Sequence, residues 1–409
     1  MRILHTSDWH LGRLFHRASL LDEQAAALAR IVEVVREERV DVVVIAGDLY
    51  DRAIPPAEAV ELFDTTLLEL RRAGAAIVAI SGNHDSGVRV GYGDRLLAEV
   101  GVTVRGDLSR AADPVELPAR DGGASVVVYP IPYLDPLAAA HVSGVTDAVA
   151  VDVPADGADH TGEARRRVSH HDAMTWATAR ARADLAQRRS DGARVRSVVV
   201  AHTFLTGGNP SESERELTQG NVDQVRLDAF DGFDYVALGH LHQGQAFDGG
   251  RVAYSGTPLP YSFSEQHHTK AVRLVDLAPD GTVDVRVVPL GVGRGVHTLT
   301  GTLDQLLTDP ALHAAERAWV QAVLTDPVLP LQAMSRLQRR FPHTVELRHE
   351  PPTDRSAPAA RRSGAQLRQA DPLELAVEFL QEQRGLAAAE EEQRLLAEAL
   401  RRVRAEVTS

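Results

Sequence analysis

The chain has 409 residues, 44% hydrophobic and 25% charged, with a formal charge of −13 and no cysteine. That length accommodates two or three domains with sizeable cores, and the lack of cysteine excludes disulfides, a thiolate nucleophile and Cys-ligated zinc or iron–sulfur centres, leaving His, Asp, Glu or Asn to hold any metal. The acidic balance argues against a basic carpet that grips nucleic acid unaided; no apolar run nears the roughly 20 residues of a membrane span, and Met1–Leu4 enters a strand without a leader pattern, so a cytosolic protein with no membrane partner is expected.

In chain order, Arg2–Thr6 and Val40–Ala46 read as buried strands flanking a helix over Leu20–Glu38, where Leu21, Ala25, Leu28, Ile31, Val32 and Val35 recur at helical spacing. A second helix, Ala57–Arg72, leads into a strand over Ala75–Ile80, and Val126–Pro132, Ser197–Ala201 and Tyr235–Leu238 are further apolar strands. Strands alternating with helices predict a mainly parallel, helix-covered α/β sheet. Residues 141–196 read as a polar surface excursion that becomes an Arg/Ala-rich helix around Ala173–Arg188. Arg251–Ser255 and Ala271–Leu277 read as a hairpin closing this first domain, residues 1–278.

A smaller α/β domain is expected over residues 279–350, with strands Val296–Leu299, Trp319–Leu324 and Val345–Arg348 and helices Leu303–Leu312 and Leu331–Phe341. Residues 351–370, rich in Pro, Ser, Ala and Arg, bury too little to fold alone and read as a linker. Residues 371–409 form a helix pair: Asp371 is an N-cap acid, Pro372 takes the first helical position and Glu374 follows three residues after the cap. Leu373, Val377 and Leu380 share one face, Gly385 interrupts, and Leu396, Leu400, Val403 and Val407 stripe the second helix. On pattern alone this pair either docks on a partner or folds back on the second domain.

Five short elements carry chemistry, each near the end of an apolar strand: Asp8-Trp9-His10, Gly47-Asp48, Gly82-Asn83-His84-Asp85, His202 and Gly239-His240-Leu241-His242. Singly each reads as an ordinary turn or a satisfied polar pair. Together they would converge on one rim, because ligands gather at the carboxyl ends of strands in open α/β sheets. Asp8, His10, Asp48, Asn83, His202, His240 and His242 supply oxygen and nitrogen donors without sulfur, which suits two divalent ions such as manganese. Asp48 is the natural bridging carboxylate. Two such ions, roughly 3.5 to 4 Å apart, polarise a phosphoryl group and generate hydroxide, so phosphoester hydrolysis is implied. His84 is left over from the ligand set and Asp85 stands beside it to orient it; His84 and Asp85 are the candidate catalytic pair, protonating the leaving oxygen or steadying its charge. His170-His171 and His267-His268 read as solvated surface pairs.

The ordered set of motifs resembles the calcineurin-like metallophosphoesterases. The strings HTSDWHLG from His5, AGDLYD from Ala46, YSGTP from Tyr254 and SFSE from Ser262 narrow the resemblance to the SbcD/Mre11-type nuclease subunits, over residues 1 to about 275. The resemblance implies a β-sandwich with flanking helices, a small α/β capping domain that binds DNA, and a C-terminal helix pair. It implies one Mn2+ on Asp8, His10, Asp48 and His242 and a second on Asp48, Asn83, His202 and His240, with Mg2+ or other divalent ions as substitutes, and His84 as a catalytic histidine that is not a ligand.

The activity implied is DNA cleavage in double-strand break repair and recombination: 3′ to 5′ exonuclease on duplex ends, and endonuclease on hairpins, single strands and blocked ends. An SbcC/Rad50-like ABC-type ATPase would grip Leu373 to Val407, which favours the partner reading of that segment. A homodimer within a heterotetramer, associated with the nucleoid, is also implied, with Ala57–Arg72 and Gly91–Val100 at the interface; Leu62, Phe63, Leu67 and Leu70 would serve there or in the core. Arg13, Arg17, Arg52 and Arg89 adjoin the motifs and either meet DNA or are solvated. The alternatives are a phosphodiesterase acting on nucleotides or small phosphoesters, and a non-catalytic scaffold of the same fold, which would require missing ligands where none is missing.

Overall fold

Val42–Ile45 is a run of three valines and an isoleucine, all four residues fully buried, which demands cover on both faces of the strand. The cover differs by face: Val42 and Val44 join a core between two sheets, whereas Val43 and Ile45 join a core beneath helices. The computed structural model describes residues 1–118, 125–142, 144–145, 168–190, 195–214, 224–352, 370–384 and 387–407. Its strands are β1 (Arg2–Thr6), β2 (Leu14–Phe15), β3 (Ala18–Ser19), β4 (Val42–Ile45), β5 (Ala76–Ile80), β6 (Val102–Arg105), β7 (Val115–Leu117), β8 (Val126–Ile131), β9 (Arg196–His202), β10 (Tyr235–Gly239), β11 (Gln245–Phe247), β12 (Val252–Tyr254), β13 (Ala271–Leu277), β14 (Val283–Pro289), β15 (Val296–Gly301), β16 (Trp319–Leu324) and β17 (Thr344–His349).

Two six-stranded sheets make the first unit, in the orders β14-β13-β1-β4-β5-β6 and β11-β12-β10-β9-β8-β7. Each has a parallel centre, β1-β4-β5-β6 in one and β12-β10-β9-β8 in the other, with antiparallel strands at its edges. Ile3, Val44, Val78, Val128, Val200 and Ala237 interleave between the sheets. The alternate residues of the same strands face outward, onto the helices Leu21–Glu37 and Ala57–Arg72 on one side and His170–Ser190 on the other. Each fully buried Val or Leu contributes roughly 1.5–3 kcal/mol, so a strand apolar on both faces holds the sandwich and its helical cover together.

The fold is thus the expected β-sandwich with flanking helices rather than one helix-covered sheet, and three local expectations change. Arg251–Ser255 and Ala271–Leu277 are not a hairpin: β12 lies beside β10 and β11, while β13 pairs with β1 and β14 in the other sheet. The first compact unit ends at Arg294 rather than near 278, because β14 is the edge strand of its first sheet. Phe63 and Leu70, on the inner face of the helix Ala57–Arg72, are core residues, whereas Leu62 and Leu67 pack on the same core but stay half-buried.

The second unit, Gly295–Ser409, contains a parallel three-stranded sheet, β15-β16-β17. Leu303, Leu306, Val320, Leu324, Leu337 and Phe341 form its core with the helices Leu303–Thr308 and Ala333–Arg340. The first helix opens with a capping box, Thr302 with Gln305, and stops before Pro310, which lacks an N–H; a 3-10 helix, Pro310–Arg317, replaces the expected continuation to Leu312. The C-terminal helices are Pro372–Arg384 and Glu390–Val407, which pack on each other with Leu373, Val377, Leu380, Leu396 and Leu400 half-buried. Gly385 and most of residues 141–169 and 351–370 lie outside the described residues. Among those described, no helix is long and apolar enough to cross a membrane.

Candidate metal centre

Three motif loops leave the first sheet at the carboxyl ends of β1, β4 and β5, and two leave the second at those of β9 and β10. They meet at one rim of the sandwich. The meeting is tight enough that side chains give way to glycine: Gly47 has φ 91° and a Cβ there would press on the His202 ring, and a Cβ at Gly239 would overlap the carbonyl oxygen of Ala46. Four non-glycine residues also take left-handed backbone, Asp8 (φ 54°), His10 (45°), Asp48 (48°) and His240 (112°). Such conformations cost roughly 1–3 kcal/mol each and persist where surrounding bonds over-determine them. Here the N–H of Asp8 donates to Gly47 O at 3.0 Å, that of His10 to Asp48 O at 3.0 Å, and that of His240 to Asp8 Oδ1 at 3.0 Å.

The seven expected ligands are brought together. His10 Nε2 lies 3.2 Å from His242 Nε2 and 3.6 Å from Asp48 Oδ2; His202 Nε2 lies 3.5 Å from the same Asp48 oxygen and 2.8 Å from Asn83 Oδ1; His240 Nδ1 is 3.2 Å from Asn83 Oδ1. Asp8, His10 and His242 form one cluster with metal-ligand spacing, and Asp8, Asp48 and His202 form another. His84 also comes within such spacing of His10 and Asp48.

The donor chemistry fits a cation. His202 donates its Nδ1–H to the Ala46 carbonyl at 2.9 Å, which leaves a bare lone pair on Nε2 facing the Asn83 amide oxygen, another acceptor. Burial, followed by the neighbouring His242, Arg13, His84 and His202, holds His10 well below the usual imidazole range; burial likewise depresses His240 and His202. These rings are therefore neutral, the form that binds metal. Burial and the Asp48 charge push the Asp8 carboxyl well above its usual range, a strain that a bound cation relieves. Converging acceptors of O and N type, without sulfur, are a site for one or more divalent ions.

Asp85 does not do what the sequence implied. Its carboxylate accepts the N–H groups of Leu49 (3.0 Å), Tyr50 (3.0 Å) and Gly82 (2.8 Å), locking the β4 loop to the β5 loop. His84 is oriented instead by the backbone carbonyl of Asp51, 2.9 Å from its Nδ1. An acid next to a histidine in sequence points elsewhere when the chain turns between them. His170 also departs from expectation: it is buried, with its ring against Tyr133. Of the arginines, Arg13 is engaged at the site, donating to Ser213 O at 3.1 Å, 3.4 Å from Asp51 and stacked over Tyr261, while Arg52 stays exposed and Arg89 donates to Ala53 O.

The sequence reading missed the residues that hold the ligands from behind. Gln24, on the first helix, donates to the carbonyls of His10 (2.8 Å) and Trp9 (3.2 Å), and the Tyr261 hydroxyl donates to Trp9 O at 2.5 Å. Glu214 accepts the N–H of His242 at 2.7 Å, and Ser213, Glu265 and Lys270 stand behind the same histidine. One signal was available: Lys270 is the only lysine in the chain.

The sequence model of the calcineurin-like phosphoesterases matches residues 1–244, which include all seven candidate ligands. A second, SbcD_C, described as the type 5 capsule protein repressor C-terminal domain, matches residues 292–384. Among solved structures, similarity extends to a protein of Thermus thermophilus (13% identity, 70% of this chain and 98% of that one, TM-score 0.35). It extends also to a dimetal phosphatase from Danio rerio (15%, 71% and 96%, TM-score 0.37) and to GAP50, the anchor in the inner membrane complex of Plasmodium (12%, 89% and 99%, TM-score 0.37).

Proposed function

We propose, for a chain that belongs to the calcineurin-like phosphoesterase family and carries an SbcD-type C-terminal domain, that its phosphoester hydrolase site is a two-metal DNA nuclease. The observation that carries the reading is the convergence of Asp8, His10, Asp48, Asn83, His202, His240 and His242 on one rim, in a chain whose second unit matches the SbcD_C domain. In the proposed arrangement one ion would be held by Asp8, His10, Asp48 and His242 and the other by Asp48, Asn83, His202 and His240, with Mn2+ among the divalent metals that the mixed O and N donors suit. Such ions supply an activated water and neutralise charge on the phosphoryl and leaving oxygens.

The chain's own residues do the rest. Asp48, whose Oδ2 lies 3.6 Å from His10 Nε2 and 3.5 Å from His202 Nε2, would be the carboxylate both ions share. The Asp51 carbonyl holds an N–H on His84 Nδ1, so Nε2 is the nitrogen left toward the substrate, and a second proton carried there, in the imidazolium form, is the one given to the leaving oxygen or used to steady its charge. Most ligands are buried, whereas Asn83 and His84 are half-buried, which supports substrate approach from their side.

The paired C-terminal helices, with Phe379 and Leu395 exposed (59% and 58%), support docking of an SbcC/Rad50-like ATPase on residues 373–407. Exposed Val88, Tyr92, Leu96 and Val100 support a homodimer through the segment after β5. The acidic net charge agrees with a nuclease whose partner provides much of the DNA grip. The test is cleavage of linear duplex and hairpin DNA against small phosphodiesters, with and without an SbcC-type ATPase and ATP. Turnover of small diesters alone, with DNA untouched under every condition, would assign a different substrate class to the same site.

A further inference from the structure

The chain's single lysine is nearly buried, its side chain 10% exposed, and it lies behind a metal-site histidine. Lys270 Nζ donates to the Glu265 carboxylate, to Thr257 Oγ1 at 2.7 Å and to the His242 carbonyl at 3.0 Å. Glu265, fully buried, accepts from the Ser213 hydroxyl at 2.6 Å, and Ser213 Oγ lies 2.5 Å from His242 Nδ1. Glu265 and Lys270 are thus a buried carboxylate–ammonium pair in direct contact.

The direction of each proton follows. An ionised Glu265 has none to give, so the Ser213 O–H points to it; the Ser213 lone pair then faces His242 Nδ1, which must carry the N–H. His242 Nε2 is left bare, toward His10 and Asp8. We propose that Lys270, Glu265 and Ser213 are positioning residues that form a charged relay setting the tautomer and donor strength of His242, and so the affinity of one metal position over the other.

The asymmetry is in the partners. At the other proposed position, His202 is backed by a neutral carbonyl, Ala46, at 2.9 Å. His242 is held at three points, its N–H by Glu214, its carbonyl by Lys270 and its Nδ1 by Ser213. A carboxylate behind a ligating imidazole raises the basicity of the ligand, and removing such partners typically lowers metal affinity about 10–100-fold.

The inference rests on the two-metal reading, and the experiment separates the two. Metal-free full-length protein is titrated with Mn2+ by calorimetry and by electron paramagnetic resonance, alongside Ser213→Ala, Ser213→Thr and Glu265→Gln, with thermal melting of each metal-free form as the control for folding. Two sites in the unchanged protein are expected, with one weakened about 10–100-fold in Ser213→Ala and Glu265→Gln and restored in Ser213→Thr, which keeps the hydroxyl. Two sites unchanged in Ser213→Ala, or equal losses in Ser213→Ala and Ser213→Thr, would overturn the relay while leaving the two-metal reading intact. No Mn2+ binding by the unchanged protein would overturn that reading and the relay with it.

Discussion

His84 Nδ1 lies 2.9 Å from the carbonyl oxygen of Asp51, a residue whose carboxylate is 3.7 Å from His10 Nδ1 and 3.4 Å from Arg13. One residue therefore orients the candidate acid through its backbone and faces a candidate ligand with its side chain. Because a carbonyl can only accept, His84 carries an N–H on that nitrogen, and Nε2 is the one left for the proposed proton transfer. Replacing His84 by Ser should lower turnover about 10²–10⁴-fold, the usual contribution of a positioned acid–base group, with both metal ions retained. Metal content by elemental analysis checks this. Loss of one ion per site would make His84 a ligand, the role its spacing to His10 and Asp48 also permits.

Asp85 predicts a different pattern. Its carboxylate accepts three backbone N–H groups from two loops, so Asp85→Asn turns one acceptor into a donor facing a donor. The expected cost is about 1–3 kcal/mol of stability, and with it a misplaced Asp48 and Asn83. Melting temperature and metal content should fall together. An Asp85→Asn protein with normal stability and two bound ions but no activity would return Asp85 to a chemical role.

Much of this site was legible because local chemistry and strand ends coincide: Asp8, Asp48, Asn83, His202 and His240 each follow or end a buried apolar run, and all converge. The sandwich was not legible from periodicity, because Val42–Ile45 is buried on both faces and reads the same under helices as under a second sheet. The pairing of β13 with β1, 271–277 against 2–6, is likewise a long-range register that no local pattern encodes. The partners behind His242 were invisible for the same reason: Ser213 and Lys270 lie 29 and 28 residues from it in sequence.

Metal binding should depend on pH with a definite sign. Burial and Asp48 raise the Asp8 carboxyl in the metal-free protein, so up to that raised value Asp8 holds a proton that an incoming cation must displace. Apparent Mn2+ affinity should therefore fall as pH falls, with proton release on binding. For the metal-free protein, the Asp8 contribution to stability is fully present below the unfolded value near 3.8 and is lost as pH rises through the folded one. Calorimetry in buffers of different ionisation enthalpy measures the protons released, and a pH-independent affinity without proton release would contradict the assignment.

Removing residues 371–409 deletes the helix pair and leaves the candidate ligands untouched. Metal-dependent hydrolysis of a small phosphodiester should persist within about twofold, a difference of ~0.4 kcal/mol in barrier, whereas co-purification with an SbcC-type ATPase should be lost. Retained association would remove the partner role from this segment.

The most direct measurement is nuclease activity restored to chelator-stripped protein by stepwise addition of Mn2+, followed on linear duplex and hairpin DNA. The two-metal account predicts no cleavage without metal, activity rising to a plateau at two ions per chain, and no recovery in an Asp48→Asn protein, which lacks the shared carboxylate. DNA cleavage that persists without metal, or that is fully restored in Asp48→Asn, would contradict it.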